Sequence, residues 1–105
     1  MKLYHATPAR NLGKIMTEGL KKRRSAIYFA DSSKAAAGFV LIRGEKEVVV
    51  FEVDIDDSLI EESFDHNETI MKRLLQIDSC KCFTYSRNIK AADIDFKKCQ
   101  IWEID

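Results

Sequence analysis

The chain has 105 residues, of which 46% are hydrophobic and 32% charged, and its 17 basic side chains balance 17 acidic ones. This length suits one domain with one core, so we expect a single domain over residues 1–105. The zero net charge gives no strong signal for a nucleic-acid partner. The apolar stretches are shorter than the roughly 20 residues of a membrane span, and the N-terminus lacks the apolar core of a secretion signal. We therefore expect a cytoplasmic protein without a membrane partner.

The number and spacing of the cysteines predict that they are free thiols rather than disulfides or metal ligands. An odd count, made up of Cys80, Cys82 and Cys99, argues against a disulfide framework. The Cys80-Lys81-Cys82 spacing is also narrower than that of typical zinc sites. We expect Cys80 and Cys82 to be buried thiols, and we expect no metal site. The basic run over residues 21–24 is interpreted as a solvated loop rather than a phosphate clamp.

The first part of the chain predicts a strand followed by a helix. Residues 3–6 form the strand. Thr7 and Pro8 then provide a helix start, because Thr can cap a helix and Pro fits its first turn. Apolar residues at helical spacing predict a helix over about 8–18, and Gly19 stands at its C-terminal end. These apolar residues are Leu12, Ile15, Met16 and Leu20.

A second strand and helix follow. Residues 26–30 are apolar and aromatic, which is typical of a buried strand. Asp31, Ser32 and Ser33 can each cap the next helix, which we expect to run from Ser33 to about Leu41.

The second half of the chain predicts more strands than helices. Residues 48–55 are rich in β-branched side chains and predict a central strand, and shorter strands are expected over 80–85 and 99–104. Asn67 can cap a third helix, whose apolar stripe is Ile70, Met71, Leu74 and Leu75. Since strands and helices do not alternate strictly after residue 45, the fold class is α+β with mainly antiparallel late strands.

Two strand ends carry residues suited to binding a ligand. His5 lies at the end of the first strand, and histidine there can exchange hydrogen bonds with a hydroxyl near neutral pH. Tyr28 lies in the second strand and offers a flat face for stacking, and Ser32 and Ser33 stand at the next helix start. Either His5 or Tyr28 alone is more often a residue of the core. Their order along the chain favours a cleft.

The same stretches resemble the ADP-ribosyltransferase superfamily. Residues 3–20 are similar to the opening of these domains, with a His, a small residue, a Thr, and later Asn-Leu, Ile and Gly-Leu. Residues 27–34 resemble the second motif of the poly(ADP-ribose) polymerase branch. Residues 48–56 and 82–94 resemble the later strands. The resemblance implies a split β-sheet core with two N-terminal helices and one later helix.

The resemblance also implies a site for NAD as substrate. In that family the histidine binds the ribose 2′-hydroxyl, the next residue binds the carboxamide through its backbone, and the tyrosine stacks on nicotinamide. These positions correspond to His5, Ala6 and Tyr28, with Thr7 at the Ser/Thr position and Ser33 in the second motif. The resemblance makes His5 and Tyr28 the catalytic candidates and all five residues the cofactor-binding ones.

Three positions depart from the family pattern. Ala6 replaces the usual glycine, and Ala35 replaces a serine that bonds the carboxamide. The late strand normally supplies a glutamate, but residues 81–85 contain no acid. The nearest acids in the sequence are Asp78 and the pair Glu61 and Glu62.

Several functions therefore stay open. The chain could transfer ADP-ribose from NAD to a macromolecule whose identity the sequence does not give. It could instead be a non-catalytic module of the same fold that binds a nucleotide, ADP-ribose or a protein, or a small domain without a nucleotide site. An RNA 2′-phosphotransferase also uses this fold without the glutamate. It relies on several arginines, whereas Tyr4 precedes His5 here and only Arg87 has a comparable late position.

Overall fold

The computed structural model describes residues 1–64 and 68–104, and in this part of the chain an antiparallel sheet carries three helices. The strands are β1 (Lys2–Pro8), β2 (Ile27–Ala30), β3 (Glu47–Asp54), β4 (Ile60–Ser63), β5 (Cys82–Tyr85) and β6 (Gln100–Glu103). The helices are α1 (Leu12–Glu18), α2 (Ser33–Leu41) and α3 (Glu68–Leu75). The spatial order of the strands is β4-β5-β2-β1-β3-β6. This architecture confirms the α+β class, while the finer assignment to the ADP-ribosyltransferase fold stays a prediction.

Helix α2 has the bounds that the sequence predicts, whereas α1 begins later than predicted. The chain stays extended through Pro8 because Thr7 and Pro8 pair with Val49 and Val48 of β3. A short 3-10 turn, Ala9–Asn11, then leads into α1. The hydroxyl of Thr7 accepts a hydrogen bond from the Asn11 side chain at 2.8 Å, so Thr7 does not cap the helix. The predicted cap of α3, Asn67, lies outside the described residues.

The central strands of the sheet are buried on both faces, which we name after the helices that cover them. On the α1 face, Leu3, Phe29 and Phe51 pack with Ile15 of α1. On the α2 face, Val48, Val50 and Ala30 pack against three consecutive alanines of α2. Successive strand residues point to opposite faces. The all-apolar run in β3 therefore feeds both cores, as expected for a strand that lies between two others.

The junction between β1 and β2 differs from the other strand pairs. β1 pairs with β3 over seven residues, from Lys2↔Asp54 to Pro8↔Val48. Its register with β2 consists of the single pair Tyr4↔Ala30. The start of β2, which carries Tyr28, is instead held by β5 through Tyr28↔Thr84. The two predicted motifs therefore meet at the least paired junction of the sheet.

Gly38 allows α2 and α3 to pack closely, and its replacement should loosen them. A Cβ atom on Gly38 would lie 2.5 Å from Cδ2 and 2.6 Å from Cδ1 of Leu75. Leu75 must then move, which costs about 1–3 kcal/mol, whereas alanine in place of glycine inside a helix contributes about 1 kcal/mol. We therefore expect Gly38→Ala to lower the free energy of unfolding by up to about 2 kcal/mol in urea denaturation. In a Leu75→Ala background the same change should instead raise it by about 1 kcal/mol. An equal loss in both backgrounds would contradict this packing.

Candidate functional site

The imidazole of His5 forms a hydrogen bond with the main chain of Tyr28. Its Nδ1 atom lies 2.7 Å from the Tyr28 carbonyl oxygen. A carbonyl oxygen can only accept a hydrogen bond, so Nδ1 carries the proton and donates it. In the neutral ring, Nε2 is then left as an acceptor. The ring also meets Phe29 edge-on, with centroids 5.7 Å apart and an interplanar angle of 62°.

The surroundings of His5 favour its neutral form. Burial lowers the pKa of His5 below its ordinary value, and the positive charge of Arg23 lowers it further. The hydrogen bond to Tyr28 opposes this shift by favouring the charged ring, but burial is the larger effect. At neutral pH the site therefore offers an uncharged donor–acceptor ring rather than an imidazolium.

This pKa shift predicts a loss of stability in mild acid. A histidine whose pKa is lower in the folded chain binds a proton more readily when unfolded. Its contribution to stability is thus complete above the unfolded pKa of about 6.5 and is lost as the pH falls toward the lower folded value. We expect His5→Gln to flatten the change in urea midpoint between about pH 7.5 and pH 5.5. His66, outside the described residues, provides the control His66→Gln, and an unchanged pH dependence in His5→Gln would contradict the account.

Tyr28 presents its ring to solvent on the α2 face. The side chain is 52% exposed, although its neighbours in β2, Ile27 and Phe29, are buried. No described residue forms a hydrogen bond with its hydroxyl. Tyr28 lies beside Thr84 of β5 in the sheet register. An exposed aromatic ring on a rigid strand is suited to stacking against a flat ligand.

The His5 side chain is hydrogen-bonded to the Tyr28 main chain, but the side chains of the two residues leave the sheet on opposite faces. His5 lies opposite Phe51 in the register and packs against Phe29, both of the α1 face. Tyr28 follows the alternation of Ala30, which belongs to the α2 face. The hydrogen bond therefore fixes the Tyr28 main chain and leaves the Tyr28 ring on the other side. Their assignment to one site stays a prediction.

The remaining predicted binding residues lie in two places. Ala6 pairs with Val50 of β3, and its side chain packs in the core of the α2 face. Thr7 pairs with Val49, and its side chain lies on the α1 face. Ser33 begins α2, and the cap of that helix is Ser32, whose Oγ accepts from the Ala35 amide at 3.1 Å. Ser33 lines an open pocket of about 500 Å³ together with Asp31, Ser32, Lys34 and residues 76–79.

A polar contact beside this pocket ties β2 to the segment before β5. Oδ2 of Asp31 accepts a hydrogen bond from the Ser79 hydroxyl at 2.5 Å, while its buried Oδ1 has no partner among the described residues. Cys80 is fully buried, as predicted, but Cys82 and Cys99 are half-buried. Burial raises the pKa of Cys82 to about 12, so this thiol stays protonated. Within residues 1–64 and 68–104, no three His, Cys, Asp or Glu side chains are grouped to hold a metal ion.

The acids named from the sequence are separated by the register of β4. Glu61 lies beside Thr84, so Tyr28, Thr84 and Glu61 share the α2 face on three neighbouring strands. We call these three residues the Tyr28 row. Glu62 lies beside Phe83 and therefore points to the other face. Asp78 lines the pocket at the start of α2. Sequence reasoning named Glu61 but had no signal for its position, because it did not predict β4.

Comparison with known proteins identifies no relative of this chain. No family model matches the sequence, and no curated protein shows significant similarity to it. In the described part of the chain, none of the helices has the length and apolar character needed to cross a membrane.

Proposed function

We propose that this chain binds NAD or a related nicotinamide nucleotide at the Tyr28 row and acts as an ADP-ribosyltransferase-like protein. The observation that carries the proposal is the 2.7 Å hydrogen bond from His5 to the Tyr28 carbonyl, which joins the two motifs directly. This bond holds the strand that presents an exposed tyrosine ring. The resemblance of the two motifs to the superfamily supports the same ligand.

Each residue has a distinct role in this proposal. The Tyr28 ring stacks on nicotinamide, whose positive charge in NAD favours the electron-rich face of an aromatic ring. His5 positions Tyr28 by holding its main chain from the α1 face. The main chain of Ala6 and Thr7, beyond the single β1/β2 pair, is assigned to the carboxamide.

Thermal unfolding in the presence of NAD, ADP-ribose or nicotinamide tests the binding. A ligand that binds only the folded chain stabilises it by mass action, by about 2.7 kcal/mol at a concentration one hundred times the Kd. We expect NAD and nicotinamide to raise Tm, with nicotinamide released if the chain also transfers ADP-ribose. An unchanged Tm with every ligand at millimolar concentration would contradict the proposal that the chain binds a nicotinamide nucleotide.

A protein-interaction module is the second candidate, and exposed apolar side chains favour it. Phe64, just after β4, is 77% exposed, and Leu74 of α3 is 63% exposed. Exposed apolar side chains are typical of a protein-binding site when they form one contiguous patch, so this candidate requires Phe64 and Leu74 to contact the same partner. If the chain is a protein-interaction module without a nucleotide site, NAD and nicotinamide should leave its Tm unchanged. This candidate gains weight if no nucleotide binds.

A further inference from the structure

The two edges of the sheet differ in how strongly they resist pairing with another strand. β4 and β6 are the edge strands, and in residues 1–64 and 68–104 no strand pairs with their outer sides. β4 carries Glu61 and Glu62, which place a negative charge on each face of the strand. Antiparallel pairing of β4 with its own copy would bring like charges together, which protects this edge. β6 has the sequence Gln-Ile-Trp-Glu, with a single charged side chain and neither lysine nor proline, so it lacks such protection.

The outer side of β6 offers main-chain hydrogen-bonding groups and an apolar side chain. The Ile104 amide donates a hydrogen bond to the Lys46 carbonyl oxygen at 2.8 Å, on the side of β3. Because main-chain groups alternate between the two sides of an antiparallel strand, those of Ile101 and Glu103 point outward. Ile101 pairs with Val49, and its side chain is 49% exposed on the α1 face. A strand beside β6 would therefore meet both kinds of contact.

Charges of opposite sign flank the exposed isoleucine. Lys97 precedes β6 and Glu103 ends it, and both side chains are exposed. Among the described residues, neither side chain has an ion-pair partner. In an antiparallel pair of two β6 strands centred on Ile101, Glu103 of one copy lies beside Cys99 of the other copy. Lys97 of that other copy is then the diagonal neighbour of Glu103, within reach of a long side chain. The two-fold axis forms this ion pair twice.

We propose that the outer edge of β6 is a self-association surface, on which a second copy of this chain pairs antiparallel across a two-fold axis at Ile101. A two-fold interface must be complementary to itself, and β6 meets this condition because the axis brings its basic end beside its acidic end. Pairing joins the two six-stranded sheets into one continuous sheet and brings the two Ile101 side chains together. Since β6 has only four residues, the interface is small, and the dimer should be weak and depend on concentration.

Exchange of the two charges tests the pairing, with the Kd of the dimer measured by sedimentation equilibrium up to millimolar chain concentration. Lys97→Glu and Glu103→Lys each place like charges together across the axis, so each should raise the Kd by about fivefold or more. Both changes in one chain restore opposite charges and should return the Kd to within about twofold of the parent. Glu62→Lys makes the same change in charge on the other edge strand, β4, and should leave the Kd as in the parent.

Amide hydrogen exchange tests the main-chain contacts of the same dimer. The amides of Ile101 and Glu103 should become protected as the chain concentration rises. A chain that is monomeric at millimolar concentration would overturn the proposal. So would a dimer whose Kd responds to neither single charge change, or a double variant that associates no more tightly than the single ones. Protection of the β6 amides only on addition of an extended peptide would assign this edge to another partner and would likewise overturn self-pairing.

Discussion

Replacing Gly19 by alanine should lower the free energy of unfolding by about 3 kcal/mol or more, the largest effect on stability that we expect from a single methyl group. Gly19 ends α1 with φ 79° and ψ −171°, a conformation open almost only to glycine. A Cβ atom there would lie 2.1 Å from the Ile89 carbonyl oxygen and 2.7 Å from the Ala91 amide nitrogen. These are backbone atoms, so relief requires moving the segment that pairs with Leu20. The measurement is urea denaturation.

Gly13 gives the control for this prediction. It is the second residue of α1, and a Cβ atom there would meet nothing within 4 Å. Because alanine has a higher helix propensity than glycine, Gly13→Ala should raise the free energy of unfolding by up to about 1 kcal/mol. The two substitutions make the same chemical change and should shift the free energy of unfolding in opposite directions. A Gly19→Ala variant as stable as the parent would contradict the close contact between Gly19 and residues 89–91.

Replacing Tyr28 by alanine should weaken binding of NAD and nicotinamide by about tenfold or more, since stacking on an aromatic side chain contributes about 1–3 kcal/mol. The ring is 52% exposed, so little core packing is lost and the fold should remain stable. Tyr28→Phe keeps the stacking face and should retain most of the affinity. Isothermal titration with each ligand measures the effect.

Phe64 provides a comparison with another exposed ring. It is 77% exposed, lies just after β4 and does not belong to the Tyr28 row. Phe64→Ala removes a similar aromatic surface and should leave the affinity for nicotinamide unchanged. If Tyr28→Ala and Phe64→Ala have the same affinity as the parent, Tyr28 does not form the binding surface.

The elements predicted well are those with local signals of their own. Helix α2 has polar caps before it and helix-forming residues within it, and its observed bounds match the prediction. The run over Glu47–Asp54 forms a strand because its β-branched residues pack on both faces of the sheet. In both cases short-range preferences and tertiary packing favour the same structure.

The elements that depend on a distant partner could not be predicted. β4 has the sequence Ile-Glu-Glu-Ser, with a single apolar residue, and it is extended because it pairs with β5. β1 continues through Pro8, where the local pattern predicts a helix start, because β3 pairs with it that far. Tertiary pairing overrides local propensity in both places.

The candidate site also combines features that local sequence signals predict with features that depend on distant strand pairing. The order of the motifs indicated that His5 and Tyr28 lie close together, and the His5 ring does form a hydrogen bond with the Tyr28 carbonyl. Which face each side chain takes depends on alternation and strand register, and a shift by one residue exchanges the faces. For the same reason, the sequence could not distinguish Glu61 from Glu62. Their positions follow from β4, which had no signal of its own.

An NMR titration of the isotope-labelled chain, first with NAD and then with nicotinamide, tests the central claim most directly. The account predicts amide shifts at Ala6, Thr7 and Tyr28 with both ligands, and further shifts at Glu61 and Ser33 with NAD. Saturable shifts confined to these residues would establish a nicotinamide nucleotide site at the Tyr28 row. A spectrum unchanged at millimolar concentrations of both ligands would contradict it.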